Sequence, residues 1–345
     1  MRGRVALAPQ MAVAALALVT GAAPMAWAAA DASDGARALA QPIDDAVAKR
    51  LLALDPELIS AADVRDVLAH APAPRIINVQ GSFAPVTMQP FAEFLIAMGY
   101  PEAKLSDPAD GKLSWPSFGD GAELAGALAW YYEHERMMPM LIGHSQGGML
   151  VIKVLHELAG SFGDTLAVWN PATRRFEPRT SITDPWTGAQ RPVIGLKVPY
   201  AAALATGRLP RIVLGQWNML AKLREIPDTV EEFTGFSIDW DPIAGTVPGI
   251  DPYRAVGTAS VRNVALSAAT SHIAMPQALE LGRNAATRDW IDRYRPGEAT
   301  LPDVPGIDLR NIVHAADIWF SIKKHWCIEA QRYVRARQGE RGAQR

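Results

Sequence analysis

Cysteine is nearly absent from this chain of 345 residues. Because Cys327 is the only one, no disulfide can form within a molecule, and a metal site built from several cysteines is excluded. An excess of positive charge is also missing, since the formal net charge is −2, and this argues against a nucleic-acid partner. With 49% hydrophobic residues, a chain of this length can build a core without cross-links.

The N-terminus carries an apolar run that is too short to span a bilayer. The run covers residues 11–23, whereas a spanning helix needs about 20 apolar residues. Arg2 and Arg4 precede it, and Ala26-Trp27-Ala28 follows with small residues at the two positions that a signal peptidase reads. These features predict a secretory signal over residues 1–28 and export to the periplasm or the medium. An uncleaved N-terminal anchor is the alternative.

Further along, strand-like apolar segments alternate with helical ones. The strand-like segments are RIINVQG, KLSWPSF and MMPMLIG, and the helical ones are MQPFAEFLIAMG, GDGAELAGALAWYYEHE and GGMLVIKVLHELAG. Strands separated by helices of about a dozen residues indicate the α/β class, with a mostly parallel sheet and helices on both faces.

This alternation sets the predicted domain organisation. We expect an N-terminal helical segment over 29–74, an α/β domain over 75–300, and a C-terminal helix with a basic tail over 301–345. Residues 164–192 interrupt the alternation with a polar, proline-rich stretch typical of a hairpin. A strand is expected next, and then a helix over 209–227.

The segment GHSQGG, residues 143–148, follows an apolar strand and precedes a helix. A tight strand–turn–helix junction leaves no room for side chains two positions before and after its central residue, and Gly143 and Gly147 occupy those positions. Ser145 then projects above the sheet beside the N-terminus of the helix. The helix N–H groups and dipole can stabilise an oxyanion there, so the pattern indicates a nucleophilic serine. Gly148 allows the helix to approach the sheet more closely.

On these residues the chain resembles the α/β-hydrolase superfamily, and GHSQGG is similar to the corresponding segment of its lipases and esterases. The resemblance covers roughly residues 75–294. It implies the α/β-hydrolase fold, with a cap inserted between the nucleophile helix and the strand that bears the acid, here about 164–230. It also implies a Ser–His–Asp triad that needs neither a metal nor an organic cofactor, in the chain order serine, acid, histidine.

The predicted base is His272. It lies where the strand-like VRNVALSAA gives way to a loop, and open α/β sheets bind ligands at the carboxyl ends of their strands. His314 is the first alternative, although it shares a predicted helix with His325. His144 is adjacent to Ser145 and cannot turn back to it.

The predicted acid is Asp241. The sequence Asp241-Pro242-Ile243 is similar to the turn that carries the acid in many lipases, and it follows a strand signal. Asp239 is the alternative in the same segment, and Asp251 is a more distant one.

Two backbone N–H groups are expected to form the oxyanion hole. The first belongs to Gln146, the residue after the nucleophile, and the second to Ser82 in the loop after the strand RIINVQG. The chain departs from the family here, because Gln80 stands where a histidine often precedes the loop glycine. Gly81 still permits a close approach of the backbone.

These residues together predict an exported serine hydrolase acting on a small-molecule or lipid ester with a moderately apolar acyl group. An acyltransferase or thioesterase with the same triad, and a non-catalytic envelope binding protein, are the alternatives. Five apolar side chains of the insertion are expected either to line the acyl pocket or to pack on the sheet: Trp169, Trp186, Trp217, Met219 and Leu220. Five basic residues near the C-terminus are expected either to touch an anionic membrane or to form a solvated helix face: Lys323, Lys324, Arg332, Arg335 and Arg337.

Overall fold

A computed structural model describes residues 43–83, 85–207, 217–298 and 300–343. The predicted signal segment lies outside these ranges, as do residues 29–42 of the predicted N-terminal segment and residues 208–216 of the predicted insertion. Within the described ranges, none of the helices combines the length and the apolar character that crossing a bilayer requires.

Eight α-helices and eleven strands lie in the described residues. The helices are α1 Asp45–Leu52, α2 Ala61–Asp66, α3 Gln89–Ala97, α4 Gly121–Glu135, α5 Gln146–Leu158, α6 Leu279–Arg283, α7 Ala285–Arg293 and α8 Ile312–Ala343. The strands are β1 Ile76–Val79, β2 Met140–His144, β3 Trp169–Asn170, β4 Arg175–Phe176, β5 Ser181–Thr183, β6 Gln190–Pro192, β7 Val198–Leu204, β8 Glu225–Pro227, β9 Val230–Ile238, β10 Arg254–Val256 and β11 Ser260–Leu266.

A five-stranded sheet with the order β1-β2-β7-β9-β11 forms the centre, and all its neighbouring strands are parallel. Every residue of β1, β2 and β7 is buried, which explains why these strands are short apolar runs without alternation. Parallel pairing brings the carboxyl ends of all five strands to one edge, where the candidate site lies.

Helices cover both faces of this sheet. The helices α4 and α5 pack on one face around Leu128, Leu141 and Val151. On the other face, α3, α6, α7 and α8 enclose a second core that includes Phe94, Trp319 and Trp326. The prediction of an α/β protein with a parallel sheet flanked by helices is therefore confirmed, and the arrangement is consistent with an α/β-hydrolase-like fold.

Two local predictions are wrong. The segment KLSWPSF is not a strand, because it contributes a single bridge between Trp115 and Val79; Pro116 has no N–H with which to continue the ladder. The described part of the predicted helix over 209–227 is a 3₁₀ turn at Trp217–Met219 followed by β8, which pairs with β10. A strand partner that is distant in sequence outweighs local helix propensity here.

The hairpins β3–β4 and β5–β6 lie in the predicted insertion and contact α4. The strand β7, also within 164–230, is the middle strand of the central sheet. Trp169 packs edge-on against Trp115, and Trp186 packs against Tyr333 of α8.

The basic residues of α8 differ in their surroundings. Lys323 is buried and donates to the main-chain oxygen of Asp292, so it cannot form part of a membrane-facing surface. Lys324 forms ion pairs with Glu57 and Glu232.

Candidate active site

Ser145 occupies the single position between β2 and α5 and has an unusual backbone conformation. Its φ and ψ angles are 54° and −117°, a strained combination for a residue with a side chain, and such strain costs on the order of 1–3 kcal/mol. Its N–H donates to the main-chain oxygen of Leu204, at 2.7 Å, which ties the turn to β7. The turn therefore presents the Ser145 hydroxyl at the carboxyl edge of the sheet.

Three glycines make this turn possible, because side chains would collide with main-chain or buried atoms. A Cβ on Gly143 would lie 2.4 Å from the carbonyl carbon of Gly147. One on Gly147 would lie 2.2 Å from the main-chain oxygen of Val79, and one on Gly148 would lie 2.0 Å from Thr206 Oγ1. The spacing of glycines around Ser145 is thus required by contacts between β1, β2, β7 and α5.

The structure brings together the three residues predicted as nucleophile, base and acid. His272 Nε2 lies 3.0 Å from Ser145 Oγ, and His272 Nδ1 lies 2.5 Å from Asp241 Oδ2. A carboxylate only accepts hydrogen bonds, so Nδ1 carries the proton and Nε2 presents its lone pair to the serine hydroxyl. All three residues are buried, at 8% exposure or less. The arrangement can take a proton from Ser145 and hold the resulting imidazolium against Asp241.

Asp241 is fixed by the turn that it begins. The backbone N–H groups of Ile243 and Ala244 donate to Oδ1 at 2.9 and 3.2 Å, which leaves Oδ2 for His272. Burial raises the pKa of Asp241, but the hydrogen bond and charge of His272 and the two N–H groups outweigh it, so the net pKa lies below its ordinary value. Of the alternatives, Asp251 accepts from Arg224, and Asp239 has no hydrogen bond to His272.

The alternative histidines are engaged elsewhere. His314 Nε2 lies 2.9 Å from the main-chain oxygen of Met275, and His325 Nε2 lies 3.2 Å from Glu232. His144 Nε2 lies 2.8 Å from the main-chain oxygen of His272. Burial lowers the pKa of His144 to about 3 and that of His314 to about 4, so both rings stay neutral.

The two predicted oxyanion donors lie beside Ser145. Gln146 is the first residue of α5, where a backbone N–H has no partner within the helix. Gly81 packs against the nucleophile, since a Cβ on it would lie 3.2 Å from Ser145 Cβ, and Ser82 follows in the wall of the cavity.

A cavity of about 340 Å³ opens above the Ser145 hydroxyl. It is lined by Gly81, Ser82, Phe83, Val86, His144, Ser145, Ile243, His272 and Ile273. No lysine, arginine or carboxylate is among these residues. Phe83, Ile243 and Ile273 are large apolar side chains that are nevertheless exposed at the mouth.

This lining differs from the one expected from the sequence, which lay in the insertion. None of the described residues of 164–230 lines the cavity, so of the two roles expected for the five apolar residues of the insertion, lining the acyl pocket is not observed. The sequence does contain an indication of this lining: Phe83 adjoins Ser82, Ile273 adjoins His272, and Ile243 follows Asp241 by two positions. A loop that presents a reacting group at the edge of the sheet also presents its neighbours.

Metal ligation is not supported by the described residues, since none of their histidine, cysteine, aspartate and glutamate side chains form a group of three that could hold an ion.

Comparisons with known proteins found little. No protein-family model matches the chain, and no curated protein does. The chain is similar to a solved structure titled "RedJ with PEG molecule bound in the active site", with 17% identity over 65% of this chain and 91% of the other, at a TM-score of 0.27. It is also similar to "RedJ-Thioesterase from the Prodiginine biosynthetic pathway in Streptomyces coelicolor", with 18% identity over 65% and 85% of the two chains, at a TM-score of 0.28. At this identity and score, neither likeness adds to what the geometry of the site indicates.

Proposed function

We propose that the protein is a serine hydrolase that cleaves carboxylic esters. One observation carries the proposal: Ser145, His272 and Asp241 form a continuous hydrogen-bonded chain on a strained turn that faces an apolar cavity. A serine hydroxyl is a poor nucleophile unless a positioned base removes its proton. Here His272 is the base, and Asp241 is the group that orients it.

The proposed reaction has two halves. Ser145 Oγ attacks the ester carbonyl while its proton moves to His272 Nε2, and Asp241 stabilises the imidazolium. The N–H groups of Gln146 and Ser82 are proposed to stabilise the tetrahedral oxyanion. Collapse of this intermediate expels the alcohol, which takes the proton from His272 and leaves an acyl-enzyme. A water molecule, deprotonated by the same ring, then attacks the acyl carbon; the bond to Ser145 Oγ breaks, His272 returns the proton to Oγ, and the acid leaves.

The cavity lining supports an uncharged, moderately apolar acyl group. Phe83, Val86, Ile243 and Ile273 supply apolar surface, and the described residues of the lining include no lysine or arginine that could bind an anionic substituent. Cleavage of a thioester, or transfer of the acyl group to an acceptor alcohol, would use the same triad. Three assays with one acyl group therefore separate these activities: hydrolysis of its ester, hydrolysis of its thioester, and transfer to an alcohol. The hydrogen-bonded triad and the open cavity count against a purely binding function.

The proposal extends to two features outside the site. Export through a signal at residues 1–28 is tested by sequencing the N-terminus of the protein recovered from cell fractions. Of the insertion predicted as a cap over 164–230, β7 belongs to the central sheet and the hairpins β3–β4 and β5–β6 pack on α4, so none of these elements is proposed to cover the site. Deletion of β5–β6 is then expected to leave ester turnover within about threefold of the parent rate.

The first test is labelling with a fluorophosphonate, which reacts with an activated serine. The parent is expected to be labelled rapidly, whereas Ser145→Ala is not labelled and His272→Ala reacts at least about 100-fold more slowly, because the proton acceptor is missing. Equal melting temperatures serve as the folding control. An unlabelled parent, or labelling of His272→Ala at the parent rate, would contradict the proposal.

A further inference from the structure

The turn that carries His272 is held by side chains along its whole length. The turn, residues 272–277, begins as a single 3₁₀ turn at His272–Ala274 and follows a loop after β11. Four of its main-chain oxygens, those of His272, Ala274, Met275 and Gln277, face side-chain nitrogens at 2.7–2.9 Å. We call this segment the base turn.

The donors come from two distant parts of the chain. His144 is the last residue of β2 and contacts the His272 oxygen at 2.8 Å. Asn311, just before α8, donates from Nδ2 to the oxygens of Ala274 and Gln277, at 2.7 and 2.9 Å. His314, in the first turn of α8, contacts the Met275 oxygen at 2.9 Å. The end of β2 and the start of α8, with the residue before it, thus hold the base turn between them.

Each donor is deeply buried and uses its polar atoms for little else. His144, Asn311 and His314 are 2%, 6% and 0% exposed. A main-chain oxygen only accepts, so both histidines donate from Nε2–H and keep a lone pair on Nδ1. That Nδ1 has no partner among the described residues, nor does Asn311 Oδ1.

Buried side chains that leave one polar atom without a hydrogen bond stabilise the fold less than apolar side chains of the same shape would. A buried polar atom without a partner costs about 1–3 kcal/mol, whereas an apolar side chain of the same shape would avoid that cost. The ring of His314 already lies among aromatic side chains, at 6.4 Å from Phe91 and 6.2 Å from Phe236. A phenylalanine would suit these surroundings, but it would release the base turn.

We infer that His144, Asn311 and His314 are positioning residues that hold the main chain of the base turn so that the His272 ring stays between Ser145 and Asp241. This inference rests on the proposed function. The three residues do not touch the reacting atoms; they act through His272. A displacement of about 1 Å in a catalytic group can cost roughly 100-fold in rate, so hydrogen bonds to the main chain beneath the base are sufficient to matter.

The test replaces each ring with one of similar shape that lacks a donor. His144→Phe and His314→Phe are expected to lower kcat for p-nitrophenyl butyrate at least tenfold with KM within about twofold, because positioning acts on the reaction and not on substrate binding. His144→Gln keeps a side-chain N–H and is expected to recover part of the loss. Asn311→Leu removes the other two hydrogen bonds and provides a further variant if one ring replacement does not fold.

His156 gives a matched control. It is equally buried, and its Nε2 contacts the main-chain oxygens of Lys222 and Glu225 at 3.1 and 2.9 Å, away from the base turn. His156→Phe is expected to lower the melting temperature as the other replacements do, while kcat per labelled site stays within twofold of the parent.

A second readout separates positioning from stability. A residue that acts through His272 loses its effect once that ring is gone, so His144→Phe is expected to leave the residual rate of His272→Ala unchanged within about twofold. The inference is overturned if His144→Phe and His314→Phe both keep the kcat of the parent, or if His156→Phe lowers kcat as much as they do. It is also overturned if His144→Phe lowers the residual rate of His272→Ala. A parent that neither turns over the ester nor reacts with the fluorophosphonate overturns the proposed function, and the inference with it.

Discussion

At the scale of single residues, the site depends on which of two nearby carboxylates meets the base. Asp239 ends the pairing of β9 with β11, since its N–H donates to the main-chain oxygen of Leu266. Asp241 lies two residues further, where Trp240, with φ of 59°, reverses the chain. The turn then supplies the N–H groups of Ile243 and Ala244 to the Asp241 carboxylate. Only Asp241 is therefore held in reach of His272 Nδ1.

This difference predicts opposite outcomes for two isosteric changes. Asp241→Asn is expected to lower kcat for p-nitrophenyl butyrate by roughly 10⁴-fold, because an amide favours the wrong tautomer of His272 and cannot stabilise its charged form. Asp239→Asn is the matched control, and its kcat should stay within about threefold of the parent. Similar losses in the two variants would show that Asp241 does not orient the base.

At the scale of elements, the junction between β2 and α5 determines where the Ser145 hydroxyl lies. The helix N-terminus passes so close to β1 and β7 that Gly147 and Gly148 touch Val79 and Thr206. Thr206 Oγ1 also donates to the main-chain oxygen of Ser145, at 2.9 Å. The junction is thus fixed from both neighbouring strands, and its glycine pattern is visible in the sequence because no other residue fits.

A methyl group on this junction is expected to be poorly tolerated. Gly147→Ala places a Cβ 2.2 Å from the Val79 main-chain oxygen and should lower the free energy of unfolding by about 3 kcal/mol or more, since β1 and α5 must separate. The control is Gly163→Ala in an exposed loop, where the nearest atom would be 3.8 Å away. Urea unfolding measures both changes. A Gly147→Ala protein as stable as the Gly163→Ala protein would contradict the close contact.

At the scale of the whole molecule, the C-terminal helix is tied to the sheet through buried charges. Glu232 of β9 pairs with Lys324 at 3.0 Å and with His325 at 3.2 Å, and it accepts from Ser321 Oγ at 2.9 Å. Arg262 of β11 pairs with Asp317 of α8 at 2.6 Å. Because Asn311 directly precedes α8 and His314 lies in its first turn, the anchoring of α8 also places these two donors of the base turn.

Removing one partner of this network is expected to lower the free energy of unfolding much more than removing one partner of an exposed ion pair. Glu232→Gln should lower the free energy of unfolding by about 3–5 kcal/mol at neutral pH, because Lys324 and His325 lose a buried partner. The exposed pair of Arg254 with Glu225 gives the comparison, and Arg254→Ala should cost at most about 1 kcal/mol. Equal costs in urea unfolding would show that the network does not anchor α8.

The ionisation of Glu232 is expected to make the free energy of unfolding depend on pH, and the direction of its pKa shift gives the sign. Burial raises the pKa of Glu232, but His325 and Lys324 outweigh it and hold the pKa well below its ordinary value. Glu232 therefore contributes fully to stability above the pKa of a glutamate in the unfolded chain, about 4.3. This contribution is lost as the pH falls toward the lower pKa that Glu232 has in the folded protein. The stability gap between the parent and Glu232→Gln should narrow below about pH 4. A gap that widens on acidification would contradict this.

The fold class and the position of Ser145 could be predicted from the sequence, because both depend on local patterns, whereas His314 remained an alternative base and Asp239 and Asp251 remained alternative acids. The strand–turn–helix around Ser145 requires its glycines, and Asp241 and His272 each follow a strand whose end is readable from its apolar run. Parallel strands bring such ends to one edge of a sheet, which predicts that the candidate residues lie close together, and the contact of His272 with Asp241 then separates Asp241 from Asp239.

The contacts of the remaining polar and apolar side chains follow from the folded structure and could not be predicted from local sequence patterns. His144 and His272 are 128 residues apart in sequence, and no local pattern shows that one ring bonds the main chain of the other. The same holds for Asn311 and His314, and for the cavity lining, which comes from the end of β2 and three loops and includes none of the described residues of the insertion. Contacts between distant segments depend on the packing of helices on the sheet, and the free energy of that packing is spread over the whole core.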